Sequence, residues 1–295
     1  MDRLTLRSPA KINLCLSVLG KRPDGYHEVE MLMQMVGLFD DVIITRGGTG
    51  ITVSCDAAAV PSGEQNIAWK AASEMLRESG SKDGVSIEIR KNIPVAAGLG
   101  GGSGNAAAVL VALNRVLNAG FDRERLAAIG TRIGMDVPFF LYGPTALARG
   151  RGEVLTELLP APVFWVLLVN PGFETSTAWV YNNLNLRLTK KFDCTKIPRL
   201  TVRNIAEGLQ NDLEDVTASA HPEIGAIEAA LREQGALGVR MSGSGPTVFG
   251  IFETESACRA AANGLSHKGW RLFPASSLTE SPLTEHLAGA CTPPA

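Results

Sequence analysis

The sequence has 295 residues, room for about two domains of ~150 residues each. With 45% hydrophobic and 20% charged residues it suits a globular chain rather than a disordered one, long enough to bury a core without disulfide or metal staples. Lys plus Arg number 28 against 30 Asp plus Glu, so a formal net charge of −2 argues against a nucleic-acid partner.

In chain order, period-two alternation predicts strands at 4–7, 12–18, 41–45, 51–54 and 85–89. The 3.6-residue period predicts helices at 66–78, 105–117 and 123–133, the last with Asp122 as its N-cap. Pro160-Ala161-Pro162 punctuates the chain. The apolar run 163–169 after it reads as a buried strand, far short of the ~20 residues a membrane span needs. Helices are then expected at 176–182, 205–213, 222–233 and 255–265, with strands at 248–252 and 270–275. The simplest partition is two α+β layers meeting near residue 160: domains at 1–160 and 161–285, then a frayed tail over 286–295.

The first residues lack the apolar core of a signal peptide. Five cysteines, Cys15, Cys55, Cys194, Cys258 and Cys291, are odd in number with no Cys-x-x-Cys spacing. They read as scattered thiols in a reducing, cytoplasmic compartment. The four histidines are equally dispersed, so no metal-ligand set is expected.

The densest chemical signal is Pro94-Val95-Ala96-Ala97-Gly98-Leu99-Gly100-Gly101-Gly102-Ser103-Gly104, which runs straight into an apolar helix. So many glycines cost backbone entropy. Without side chains, successive amides can close around an anion, and the helix N-terminus adds positive potential. A polyphosphate nucleotide is the natural guest, with Ser103 offering a hydroxyl to a phosphate or to its magnesium. The Walker pattern is excluded because no lysine closes the loop. The dinucleotide fingerprint fits only as Gly102-x-Gly104-x-x-Ala107, displaced into the helix. A hinge or a tight strand-to-helix turn remains the alternative.

Two further segments flank this loop. Ser8-Pro9-Ala10-Lys11-Ile12-Asn13-Leu14, the loop, and Met241-Ser242-Gly243-Ser244-Gly245-Pro246-Thr247-Val248-Phe249, in this order, resemble the three motifs of the GHMP kinases (galactokinase, homoserine kinase, mevalonate kinase, phosphomevalonate kinase). Arg22-Pro23-Asp24-Gly25-Tyr26-His27 and Gly134-Met135-Asp136-Val137-Pro138-Phe139-Phe140 narrow the resemblance to members whose alcohol substrate carries a cytidine diphosphate. Gly104 stands where a second serine is frequent, and Met135 where a small residue is usual.

The resemblance implies the two-domain α+β GHMP kinase fold, an N-terminal half like ribosomal protein S5 domain 2 and a ferredoxin-like C-terminal half. It implies ATP and Mg²⁺ as cofactors, and a monomer or weak homodimer with neither nucleic-acid nor membrane partners. It makes Asp136 the base that takes the hydroxyl proton, and its apolar neighbours should strengthen its interactions. Lys11 would keep Asp136 ionised and offset charge on the moving phosphoryl group. Alone, Asp136 would read as an N-cap or salt-bridge residue and Lys11 as an edge residue with its head in water. Asn13 shares a strand face with Lys11 and is assigned to substrate. The base is expected near Tyr26, with His27 reading its edge, Tyr181 as the second aromatic and Thr177 as a substrate contact. Core packing on a helix explains Tyr181 nearly as well. Asn66 is adequately explained as an N-cap, and the resemblance sets it near the adenine. Ser242-Gly243-Ser244-Gly245 reads as a plain turn, or as the piece that closes the site across the domain boundary.

An ATP-dependent small-molecule kinase is therefore the leading expectation, with a homoserine- or mevalonate-type kinase next. Those substrates have no base for Tyr26 and His27 to hold. A sensor that kept the fold but lost catalysis would need neither Lys11 nor Asp136.

Overall fold

A computed structural model describes residues 2–158, 161–186 and 201–287. In the first half β1 (Arg3–Lys21), β2 (His27–Arg46), β3 (Ile51–Cys55), α1 (Ile67–Ser79) and β4 (Val85–Arg90) precede α2 (Gly101–Val116), α3 (Arg123–Ile133), β5 (Thr145–Arg149) and β6 (Val154–Glu157). The second half runs β7 (Trp165–Asn170), α4 (Thr177–Asn182), α5 (Val202–Glu207), β8 (Gln210–Asn211), α6 (Glu214–Ala220) and α7 (Glu223–Glu233). It ends with β9 (Gly238–Met241), β10 (Val248–Phe252), α8 (Glu255–Leu265) and β11 (Arg271–Ser276).

The strands form two sheets. One has the order β3-β4-β2-β1-β8, with β5 paired to the other half of β2 and β6 to β5; the second is an antiparallel sheet ordered β11-β7-β10-β9. β8 and the bridge between Val36 and Ser277 tie the later chain to the first sheet. The long hairpin β1–β2 slips register at Pro9/Ala10, Asn13/Cys15 and Val18/Gly20. Bulges of this kind re-aim side chains, and two of the three flank the stretch carrying Lys11 and Asn13.

α2 is buried on nearly all sides, as its run of Ala, Val and Leu dictates. It packs on β1, α1 and α3. The Asp122 cap is present, its carboxylate accepting the Arg125 amide at 2.7 Å. Three expectations need correction. α2 begins at Gly101 rather than 105, because the second half of the glycine loop is already helical. The helix expected at 205–213 is instead the end of α5, β8 and the residues leading into α6: β8 pairs with Cys15 and Leu16 of β1, and Asn211 then accepts the Leu213 amide. Cys55 and Cys258 are free thiols, but the buried Cys15 is disulfide-bonded, so the cysteines are not all unpaired. The expected tail lies outside the described residues from 288 onward, and no described helix is long and apolar enough to cross a membrane.

Candidate active site

A cleft of about 970 Å³ runs between the glycine loop, the middle of β1 and the start of α4. It is lined by Lys11, Asn13, Tyr26, His27, Asn66, Pro94 to Ser103, Asp136, Thr177 and Tyr181, together with Gly243 and Ser244 of the C-terminal turn. Gly104 is the exception among the expected residues. Its amide is spent on the Gly100 carbonyl at 2.9 Å, and a Cβ there would lie 2.6 Å from Ser8 Oγ. It is therefore a close-packing glycine under the loop, not part of the cradle.

The loop is shaped by its contacts. Gly98 and Gly100 have φ of +75° and +68°, a region costly for other residues. A Cβ on Gly98 would sit 2.0 Å from the Ser242 carbonyl oxygen, and one on Gly100 would sit 2.8 Å from Lys11 Cγ. The chain after Gly100 enters α2, so the free amides of the helix start face the cleft.

Lys11 lies on an inner strand between β2 and β8 and is only 4% exposed, contrary to an edge residue. Its ammonium donates to Asn13 Oδ1 at 2.6 Å, which places both side chains on one face. Asp136 Oδ2 is 3.8 Å from the same nitrogen, and the Asp136 side chain is 33% exposed to the cleft. Burial pushes the Lys11 pKa below its ordinary value, and Asp136 opposes that shift by attraction.

In the same cleft, Tyr181 stacks on His27, with ring centroids 5.0 Å apart and planes 28° from parallel. Tyr181 also packs on the core while lining the cleft. Tyr26 is half exposed, and the Arg151 guanidinium lies 5.1 Å from its ring centroid. Burial, then the Lys21 charge, lowers the His27 pKa, which leaves the ring neutral near pH 7. Burial, and after it Asp136, raises the Tyr181 pKa, keeping that hydroxyl a donor. Thr177 Oγ1 lies 2.8 Å from Ser244 Oγ, joining α4 to the C-terminal turn. Asn66 caps α1 by accepting the Ala68 amide at 2.8 Å and still lines the cleft.

Several cleft residues had no sequence signal to mark them. Lys91, ion-paired with the buried Asp40, stands beside Gly101. Its place just ahead of the glycine loop was the only available hint. Asn105 Oδ1 and Thr175 Oγ1 are buried in the cleft wall without hydrogen-bond partners. Such atoms are costly unless a ligand satisfies them.

A glycine loop running into a helix start, a lysine–aspartate pair and an aromatic stack line one cleft, an arrangement suited to a small-molecule phosphotransferase. The chain belongs to the GHMP kinase family, the ATP-dependent kinases its motifs resemble. Residues 66–144 match the GHMP kinases N terminal domain and residues 197–270 the GHMP kinases C terminal.

Within the family the similarity is specific. The 4-diphosphocytidyl-2-C-methyl-D-erythritol kinase of Geobacter metallireducens is 49% identical over 90% of this chain and 95% of its own. That of Citrifermentans bemidjiense is 50% identical over 92% of this chain and 97% of its own. The crystal structure of a 4-(cytidine 5'-diphospho)-2C-methyl-D-erythritol kinase matches with a TM-score of 0.80 at 34% identity, covering 93% of this chain and 99% of that one. Homoserine kinase from Cytophaga hutchinsonii, at 20% identity and a TM-score of 0.74 over 95% of this chain and 96% of its own, shares the fold.

Proposed function

We propose that this chain transfers the ATP γ-phosphoryl group to the 2-hydroxyl of 4-diphosphocytidyl-2-C-methyl-D-erythritol. The products are the 2-phosphate and ADP, in the non-mevalonate route to isoprenoid precursors. The observation that carries this reading is the one cleft that holds the glycine loop, the Lys11–Asp136 pair and the His27–Tyr181 stack together, in a chain about half identical to kinases of that name.

In this reading the amides of residues 98–103 hold the nucleotide phosphates, and Asn66 lies toward the adenine. Asp136 takes the proton of the attacking hydroxyl as the new P–O bond forms. Lys11 offsets charge on the transferring group, which in phosphoryl transfer is most of the catalytic task. Asn13, Thr177, Tyr26, His27 and Tyr181 hold the cytidine alcohol. A neutral His27 offers one donor and one acceptor, matching the mixed edge of cytosine. The stretch 1–160 supplies the nucleotide cradle, and 161–285 supplies α4 and the turn that closes on it.

Magnesium fits the neutral oxygen donors of the cleft wall, the Ser103 hydroxyl and the unpartnered Asn105 Oδ1, which leaves Asp136 to take the hydroxyl proton. The nucleotide phosphates and water would complete its coordination. When bound with ATP it neutralises phosphate charge. We place the enzyme in the cytoplasm as a monomer or weak homodimer.

The test is a coupled ADP-release assay with Mg²⁺ over a panel of alcohols: the methylerythritol cytidine diphosphate, homoserine and mevalonate. Turnover confined to the first supports the reading, and turnover of homoserine or mevalonate instead overturns it.

A further inference from the structure

We infer that Asn211 is a positioning residue for phosphoryl transfer, holding the turn 242–245 against Lys11 and the glycine loop. The inference rests on the kinase reading above and adds a residue remote from both substrates.

The turn is wedged into the machinery. Ser242 Oγ donates to the Gly98 carbonyl at 2.9 Å and accepts the Asn13 amide at 3.3 Å. A Cβ on Gly243 would stand 3.5 Å from Lys11 Nζ and 3.3 Å from Asn13 Oδ1. A small displacement of this turn therefore moves the glycine loop and the Lys11–Asn13 pair together.

What fixes the turn from behind is the short stretch that also pairs with β1 as β8. Asn211 is 7% exposed and sits in β8, beside Leu16 of β1. Its Nδ2 donates to the Met241 carbonyl at 2.8 Å and the Gly243 carbonyl at 2.7 Å, while its Oδ1 accepts the Leu213 amide at 3.0 Å. Two neighbours act in the same sense. Thr217 Oγ1 donates to the Ser244 carbonyl at 3.2 Å, and Glu214 Oε2 accepts the Met241 amide at 2.7 Å. A planar trans peptide sets C=O and the following N–H on opposite sides. Tying the Gly243 carbonyl back to Asn211 thus turns the Ser244 amide toward the cleft that Ser244 lines. Only an amide side chain supplies two donors to two carbonyls and one acceptor to an amide at once.

The experiment compares Asn211→Asp with Asn114→Asp in the full chain. Asn114 is a matched control: equally buried, it donates to the Phe121 carbonyl at 2.8 Å and accepts the Phe121 amide at 2.9 Å, away from the cleft. Asn211→Asp replaces both donors with an oxygen facing two carbonyls. Its kcat should fall about 10- to 100-fold, with KM for the cytidine substrate changed less than about threefold. Asn114→Asp should lower Tm while kcat of the folded fraction stays near wild type. If Asn211→Asp stays folded and keeps kcat, or if both variants lose kcat equally, the inference is overturned. Should Asn211→Asp not fold, Thr217→Val removes only the bond to Ser244 and decides the case: a lower kcat at unchanged KM supports it, an unchanged kcat overturns it. A wild-type protein inactive on the cytidine substrate ends the kinase reading and takes this inference with it; an active one with Asn211→Asp unaffected ends this inference alone.

Discussion

Asp136 Oδ2 stands 3.8 Å from Lys11 Nζ, too far for a hydrogen bond, while that ammonium is hydrogen-bonded to Asn13 at 2.6 Å. The pair is thus close enough for electrostatic coupling, yet the carboxylate is left with lone pairs for an incoming hydroxyl. Asp136→Asn keeps the shape and removes the basicity. Turnover should fall by about 10²- to 10⁴-fold, the usual worth of general-base help, with KM for the alcohol nearly unchanged. Steady-state kinetics on both substrates checks this, and near-full activity in the variant would show that the base lies elsewhere.

The buried Lys11 makes a prediction about alkaline pH. Burial holds its pKa below the ordinary lysine value, so loss of the ammonium sets an alkaline limb at lower pH than an exposed lysine would. Bound nucleotide phosphates favour the charged form and raise that pKa again. Hence the limb of kcat/KM, which reports free enzyme, should lie at lower pH than the limb of kcat. In Lys11→Arg, whose guanidinium does not titrate in this range, any residual activity should lose the limb. A limb that persists unchanged belongs to another group.

Part of this site could be read from residues alone, where its chemistry is local in sequence. The glycine run declares itself within about ten residues, whereas Lys11, Asn13 and Asp136 gain their roles only from the family motifs that surround them. The parts that escaped are those whose meaning depends on distant chain. Gln210 and Asn211 sit in what reads as one helix, yet β1 claims them as a strand. Lys91 looks like any charged residue at the end of a strand until Asp40 and Gly101 are found beside it. Strand β2 was legible only at its far end, because both faces are buried over 29–36 and Glu30 and Gln34 interrupt the apolar pattern. The Gly104 assignment failed for the opposite reason: the amide of a helix-start glycine reads as free until the bond to Gly100 is seen.

Glu214 gives a pH-dependence of stability. Burial is the largest influence and pushes its pKa up to about 7, aided by the Glu228 charge and opposed by Arg240, whose Nη1 donates to it at 2.6 Å, and by the Met241 amide. Between the ordinary glutamate range near 4.5 and about 7, the folded protein holds a proton the unfolded chain has lost. The stability this group contributes is therefore full below that window and is lost as pH rises through it. Glu214→Gln removes the titration. The fall in Tm from pH 5 to pH 8 should be smaller in the variant than in wild type, as thermal melts at the two pH values will show. An equal fall in both proteins would place the titration elsewhere.

Gly98→Ala tests the junction between the two glycine segments. The new Cβ would meet the Ser242 carbonyl oxygen at 2.0 Å and the Gly245 amide nitrogen at 3.1 Å, on a backbone with φ of +75°. Both obstacles are backbone, so no rotamer change relieves them. Either the loop or the turn 242–245 must shift, and each holds one side of the cleft. Gly80, also at positive φ but with open space around its Cβ position, provides the comparison. Gly80→Ala should cost roughly 1 kcal/mol of stability, the left-handed conformational penalty alone, and leave kinetics untouched. Gly98→Ala should cost more than that and raise KM for ATP at least about tenfold, because the displaced amides no longer converge on phosphate. Denaturant melts and ATP titrations of the two variants separate strain from steric conflict. Equal stability loss with an unchanged KM would mean that the turn yields freely and does not shape the cradle.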